Sequence, residues 1–178
     1  MSMVSRRTLI ISVAFALPAG LAFAGDKRER MAEKLIERAV NEGRVRLAPE
    51  LPALIGEAML DGIARERSED MANGAPFAHE DEHGGYPAIE KMRARYSRFG
   101  AMGENLMMTF DPAGRGYDPR QFAARAVKSW FDSPGHRGNI LSAAFTHCGT
   151  GVAASRTTVY ATQVFWGPPA RKPSPRRS

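Results

Sequence analysis

The stretch Trp130-Phe131-Asp132-Ser133-Pro134-Gly135-His136-Arg137-Gly138-Asn139-Ile140-Leu141 constrains the fold more than any other part of the chain. Large apolar residues stand before and after a Pro-Gly pair. Proline in a helix interior lacks the amide donor and collides with the preceding turn, so Pro134-Gly135 reads as the end of a helix. The pattern predicts a helix that ends after Phe131, a sharp turn, and re-entry into the core at Ile140-Leu141. A second short stretch, Gly103-Glu104-Asn105-Leu106, sets a carboxylate between a glycine and an asparagine. These two stretches and His79 are expected to meet at one cleft.

The rest of the chain supplies the elements around that turn. Lys27 to Asn41 has helical periodicity, with Met31, Leu35, Ala39 and Ile36, Val40 as its apolar stripe and Gly43 as the stop. Pro52 to Met71 reads as a second helix, with Leu60, Ala64, Ser68 and Met71 on a close-packing face and Glu66, Glu69 and Asp70 outside. Pro87 starts a third helix, to about Tyr96. A strand runs through Glu104 to Thr109, and Asp111 to Gly116 is a loop. Asp118-Pro119 is a cap followed by an N1 proline, opening the helix that carries Phe122, Ala126, Trp130 and Ala123, Val127, Phe131. Cys148 to Ala154 and Thr157 to Trp166 are strands joined by a tight connection, hence an antiparallel hairpin. Helices set apart from a small antiparallel sheet indicate an α+β fold.

Charge and leader segments bound the function. The formal net charge is +6, but Arg6, Arg7, Arg171, Lys172, Arg176 and Arg177 lie in two end segments without acids; the body from Gly25 to Gly167 holds 19 bases against 19 acids. A basic groove for nucleic acid is not expected, since that needs clustered charge on the folded surface. Residues 1–24 read as an export signal: Arg6-Arg7, the apolar run Leu9 to Ala16, and Ala22-Phe23-Ala24 as an A-x-A cleavage site. Arg6-Arg7 is compatible with either the Sec or the twin-arginine route. The apolar run is too short for a membrane helix of about 20 residues, so the mature chain is expected to have no transmembrane span. The expected location is periplasmic or secreted. Residues 25–167 form the expected domain. Residues 168–178, with four prolines and four bases, have nothing to bury and read as a disordered tail. Its bases could attract anionic lipid or wall polymer. Cys148 is the only cysteine, so the domain has no internal disulfide.

Several groups carry potential chemistry. His79-Glu80-Asp81-Glu82-His83 matches H-E-x-x-H, which binds zinc when both histidines share one helical face. Pro76 before it, Gly84-Gly85 after it and the acidic interior argue against a helix there, and His83 reads as exposed. His79 and Glu104 together suit either a divalent metal or an acid–base pair. Glu104 alone also reads as a structural acceptor of backbone N–H groups. His136 is either a turn donor or a third group in the cleft, and Arg137 and Asn139 read as structural donors. Ser133 has no nucleophile elbow around it. Cys148 reads as a small buried hydrophobe, with His147 on the opposite face of its strand.

Taken together, these motifs resemble the bacterial branch of the CAP superfamily, also called SCP-like (cysteine-rich secretory protein, antigen 5, pathogenesis-related 1). Ser133-Pro134-Gly135-His136-Arg137 with Asn139-Ile140-Leu141 after Trp130 looks like its signature turn. Gly103-Glu104-Asn105-Leu106 resembles its G-E-N element and Phe77-Ala78-His79 its F-S-H element. Phe145-Thr146 with Gly149-Thr150-Gly151-Val152, and Thr162-Gln163-Val164-Phe165, resemble its last two strands. Val40-Asn41-Glu42 with Arg44 fits its first helix. The resemblance implies a three-layer α-β-α sandwich with a small antiparallel sheet, and a cleft holding His79 and Glu104. Many eukaryotic members add a second Glu and a second His, and the full tetrad sometimes binds a divalent metal such as zinc. Here those positions are Ser133 and Tyr160, so half the tetrad remains. The expected ligand cleft comprises His79, Glu104, Ser133, His136 and Tyr160, with Asn105, Trp130, Arg137 and Asn139 as its structural frame. The leading expectation is an exported binding module for a small hydrophobic, peptide or cell-envelope ligand, without robust catalysis. The alternative is a hydrolase or divalent-metal-dependent enzyme using His79 and Glu104 with His136.

Overall fold

The computed structural model describes residues 19–96, 100–110 and 116–169, with side chains from residue 27 onward. Residues 1–18 of the expected signal, the loop residues 111–115 and residues 170–178 of the expected tail lie outside the described residues. Nine elements follow in order: α1 (Ala19–Leu47), β1 (Ile55–Gly56), α2 (Ala58–Ala72), α3 (Pro87–Arg95), β2 (Ala101–Phe110), α4 (Pro119–Asp132), α5 (Pro134–Ile140), β3 (His147–Ala154) and β4 (Thr158–Gly167).

The strands form one sheet in the order β1-β3-β4-β2. β3, β4 and β2 are antiparallel neighbours, as the hairpin predicts, but β1 runs parallel to β3. The sheet is therefore mixed rather than purely antiparallel. Alternation along the strands sends side chains to two faces. One face packs Phe165, Ala161, Val152 and Cys148 with Ile36 and Val40 of α1 and Phe122, Ala126 and Trp130 of α4. The other packs Val164 with Leu60, Ile63 and Ala64 of α2 and Ala88 and Met92 of α3. This is the α-β-α sandwich. Gly151 lets α2 lie directly on β3: a Cβ there would come within 2.1 Å of the Arg65 backbone nitrogen.

Three local expectations change. α1 runs past Gly43 to Leu47; Gly43 is needed not as a stop but because a Cβ there would meet the Phe131 ring at 2.4 Å. Residues 52–57 are not helical. The Asn41 side chain brackets Leu54, donating to its carbonyl (3.0 Å) and accepting from its amide (2.8 Å), and Ile55 and Glu57 donate to Thr146 and Cys148. That tertiary pairing draws Ile55–Gly56 into the sheet. Pro134 does end α4, but it also occupies the first turn of α5, where a missing amide costs nothing. Residues 79–83 form bends and a turn, as the flanking proline and glycines predict, with Asp81 accepting the amides of His83 and Gly85 (2.8 Å each).

Arg44 ties the turn to the rest of the molecule. It is 1% exposed, and its guanidinium donates to the carbonyls of Pro52, Ile140, Ser142 and Phe145. Those carbonyls lie at the end of α5 and in the irregular chain before β1 and β3, where no ladder partner satisfies them. The re-entry expected after Pro134-Gly135 is thus held by a buried cation as well as by Ile140, which is fully buried.

Candidate functional site

β2 lies at an edge of the sheet, and the site is built around that edge. Glu104 sits on the face shared with α2 and α3, opposite Val164. Its Oε2 lies 2.8 Å from Nδ1 of His79, on the segment after α2. Glu104 is 8% exposed, whereas the His79 side chain is 46% exposed. One partner is anchored and the other reaches solvent. The hydrogen bond to Glu104 raises the His79 imidazole above its ordinary value, against burial and the Arg67 charge, which lower it. His79 is thereby biased toward the imidazolium form.

Sequence reasoning missed Arg67. It is 2% exposed on α2, and its Nε stands 3.7 Å from Glu104 Oε1. Its Nη2 donates to the Ala78 carbonyl, fixing the backbone immediately before His79. One buried guanidinium thus faces the carboxylate and sets the loop that delivers the histidine. The signal was available: Arg67 falls on the buried stripe of α2 with Leu60, Ile63, Ala64 and Met71. A cation at a core position implies a buried partner. Glu104 Oε1 and Arg67 Nε are both buried without a hydrogen-bond partner.

α5 brings His136 to the same place from the other side of the edge. Its ring lies 6.1 Å from that of His79, edge to face. Burial, and then the charge on His79, hold His136 below the ordinary imidazole value. The position of α5 rests on asparagines. Asn105 Nδ2 donates to the His136 carbonyl (3.1 Å), and Asn139 Nδ2 reaches both the Glu104 carbonyl (3.1 Å) and Asn105 Oδ1 (2.9 Å). Trp130 Nε1 donates to the Leu106 carbonyl at 2.9 Å. Arg137 is exposed and donates to the Phe131 carbonyl (3.3 Å). Ser133 is half-buried at the junction of α4 and α5, and its hydroxyl hydrogen-bonds to neither histidine. Tyr160 shares Glu104's face of the sheet but pairs with Met108, four residues further along β2. That is about 13 Å along the strand. Its ring lies 6.3 Å from Phe77. The structure therefore groups His79, Glu104, Arg67 and His136, with Tyr160 and Phe77 at the apolar end.

The other candidates fall elsewhere. His83 is exposed and reaches only Glu82 at 3.6 Å. Cys148 is fully buried, and burial pushes its thiol up to about 12, so it does not supply a thiolate. His147 stands edge-on to Trp166 on the opposite face from Cys148. Among the described residues, no three His, Cys, Asp or Glu side chains converge as a metal-binding group. His79 and Glu104 are bonded directly to each other, and the Arg67 guanidinium already faces the free carboxylate oxygen. This donor set does not fit a tetrad-type metal.

Residues 38–166 match the sequence profile of the CAP family, the Cysteine-rich secretory protein family. The chain belongs to that family. It is 33% identical over 96 residues to the uncharacterized protein YkwD of Bacillus subtilis, an overlap covering 54% of this chain and 33% of that protein. The chain thus spans about a third of the length of the curated relative it matches. An extracellular protein containing a SCP domain from Bacillus anthracis superposes with a TM-score of 0.64 at 25% identity, over 86% of this chain and 45% of that one. The structure of NaASP2 with Zn2+ shares the fold at a TM-score of 0.52 and 12% identity, over 82% and 86% of the two chains. No helix among the described residues is long and apolar enough to cross a membrane.

Proposed function

We propose that this chain is an exported binding protein whose His79–Glu104 cleft takes a small hydrophobic, peptide or cell-envelope ligand without robust turnover. One observation carries this reading. Glu104 is committed internally, to His79 through Oε2 and beside Arg67 at Oε1, and among the described residues no hydroxyl or thiol hydrogen-bonds to either histidine. A serine or cysteine nucleophile needs a base within hydrogen-bond reach. Here Ser133 lacks one and Cys148 is buried. What the site does offer is a fixed polar group, His79 with its raised imidazole, two residues along the chain from Phe77, whose ring lies 6.3 Å from that of Tyr160. A few placed polar groups beside an apolar wall are the usual make-up of a small-ligand site. Native mass spectrometry of the mature protein from its own envelope is expected to show a co-purified ligand that is lost in His79→Ala. Multiple turnover of an ester or peptide, abolished by His79→Ala, would refute the binding reading.

The second reading is acid–base hydrolysis by His79, Glu104 and His136. The observation favouring it is that two histidines 6.1 Å apart are driven in opposite directions, which separates a proton donor from an acceptor. Among the described residues, no group of three His, Cys, Asp or Glu side chains could hold zinc. Calorimetric titration with zinc should therefore give no heat that Glu104→Ala removes. Export rests on residues 1–24, and the basic tail is assigned to anionic lipid or wall polymer. Deleting residues 168–178 should then weaken vesicle or wall binding at low salt.

A further inference from the structure

Side chains cover outward backbone groups on both outer edges of the sheet, to different extents. On β3 the outward amides of Thr150, Val152 and Ala154 donate to Asp61 (2.9 Å), Glu33 (3.0 Å) and Glu29 (3.1 Å), and β1 pairs with the stretch before them. On β2, the register with β4 makes the odd-numbered residues the ladder partners, so the even-numbered ones turn N–H and C=O outward. Asn139 covers the outward carbonyl of Glu104, and Trp130 covers that of Leu106. Beyond Leu106 the covering stops: among the described residues, no side chain hydrogen-bonds to the outward backbone of Met108 or Phe110. The same two residues expose 47% and 64% of their surface. Met108 stands opposite Tyr160, which packs near Phe77, itself 44% exposed.

An open strip of backbone therefore borders an apolar ledge. Outward donors and acceptors repeat every second residue, about 7 Å apart along the strand. Another extended backbone carries the same repeat, whereas a lipid tail or a sugar does not. We propose that an extended peptide segment bearing an aliphatic or aromatic side chain adds as a strand to β2 at Met108–Phe110. Its apolar side chain rests on the ledge of Met108, Tyr160 and Phe77, and its course leads toward His79. The proposal names the ligand class for the binding reading above and rests on that reading.

The test is a 15N NMR titration of the mature protein with an acetylated eight-residue peptide alternating threonine and valine around a central phenylalanine. Shifts and slowed amide exchange are expected at Met108 and Phe110. The same peptide N-methylated at alternate amides should bind at least roughly tenfold more weakly. Met108→Pro removes an outward amide and the Met108 part of the ledge while leaving the odd-residue ladder in place, and Phe110→Lys changes an exposed side chain. Each should weaken binding by roughly tenfold. Equal binding of the N-methylated peptide, full binding by both variants, or no shift at about 1 mM peptide overturns the proposal. Binding lost in His79→Ala but kept in both edge variants overturns the edge assignment and leaves the cleft reading standing. Binding kept in His79→Ala but lost in both edge variants supports the edge and removes the cleft. Sedimentation showing a dimer that Met108→Pro dissolves would give the edge to a second copy and overturn the peptide.

Discussion

At the β3 edge, three carboxylates from α1 and α2 take three successive outward amides. At the β2 edge, an amide and an indole donate to two carbonyls, and the rest is left open. The difference follows from what each edge supports. No residue of the site lies on β3 itself, so its backbone can be covered by charge, a common defence against unwanted pairing. β2 carries Glu104, and the groups covering it must also hold α5 and His136 in place. Neutral donors do that without adding a second charge beside the His79–Glu104 pair. Among the described residues, the β3 edge is covered by carboxylates and the β2 edge beyond Leu106 is not, and the β2 edge carries Glu104.

The largest effect is expected on the closed edge. Glu33 is 7% exposed, accepts from Val152 and pairs with Arg30 (2.8 Å) and Arg65 (3.0 Å). Glu33→Ala should cost about 3 kcal/mol in urea unfolding, because it strands the buried Val152 amide and removes the carboxylate that Arg65 faces. A loss below about 1 kcal/mol would mean that the carboxylate row is incidental. On the β2 edge, Trp130→Phe keeps most of the ring volume but leaves the Leu106 carbonyl without its donor. It should cost about 1–3 kcal/mol and loosen α5. Phe110→Ala, beyond the covered stretch, should change stability by no more than about 0.5 kcal/mol. A large loss there would show that the strip is packed rather than open.

The pH response sharpens the contrast within the site. The folded-state value of His79 is raised above the ordinary 6.5, so its contact with Glu104 stabilises fully below 6.5 and fades as pH rises through the higher value. His136 is lowered, so the folded state resists its protonation and loses stability as pH falls below 6.5. NMR titration should give two midpoints on opposite sides of the ordinary value, and Glu104→Gln should draw the His79 midpoint back down.

How much of this was legible in the sequence depends on whether the signal was local. Asp118-Pro119 announced α4, and the Asp118 side chain does accept the Arg120 amide at 2.8 Å. The hairpin followed from two strand runs about a tight connection, and the burial of Cys148 from its residue type. β1 is two residues long, and it is a strand only because Asn41 and β3 hold it there. No local pattern encodes that. α5 was hidden because proline is read as a terminator as readily as a first-turn residue. The chain wrote His79 and Glu104 as motif residues, but Arg67 was legible only as a charge on a buried stripe. The meeting of His79 with His136 across an edge is a product of topology, since 57 residues of chain separate the two positions.

The most direct test of the closed and open edges is native-state hydrogen exchange read amide by amide. Thr150, Val152 and Ala154 should exchange slowly, protected by their carboxylates, while the outward amides of Met108 and Phe110 exchange at least an order of magnitude faster in the unliganded protein. Equal protection at the two edges would contradict the account.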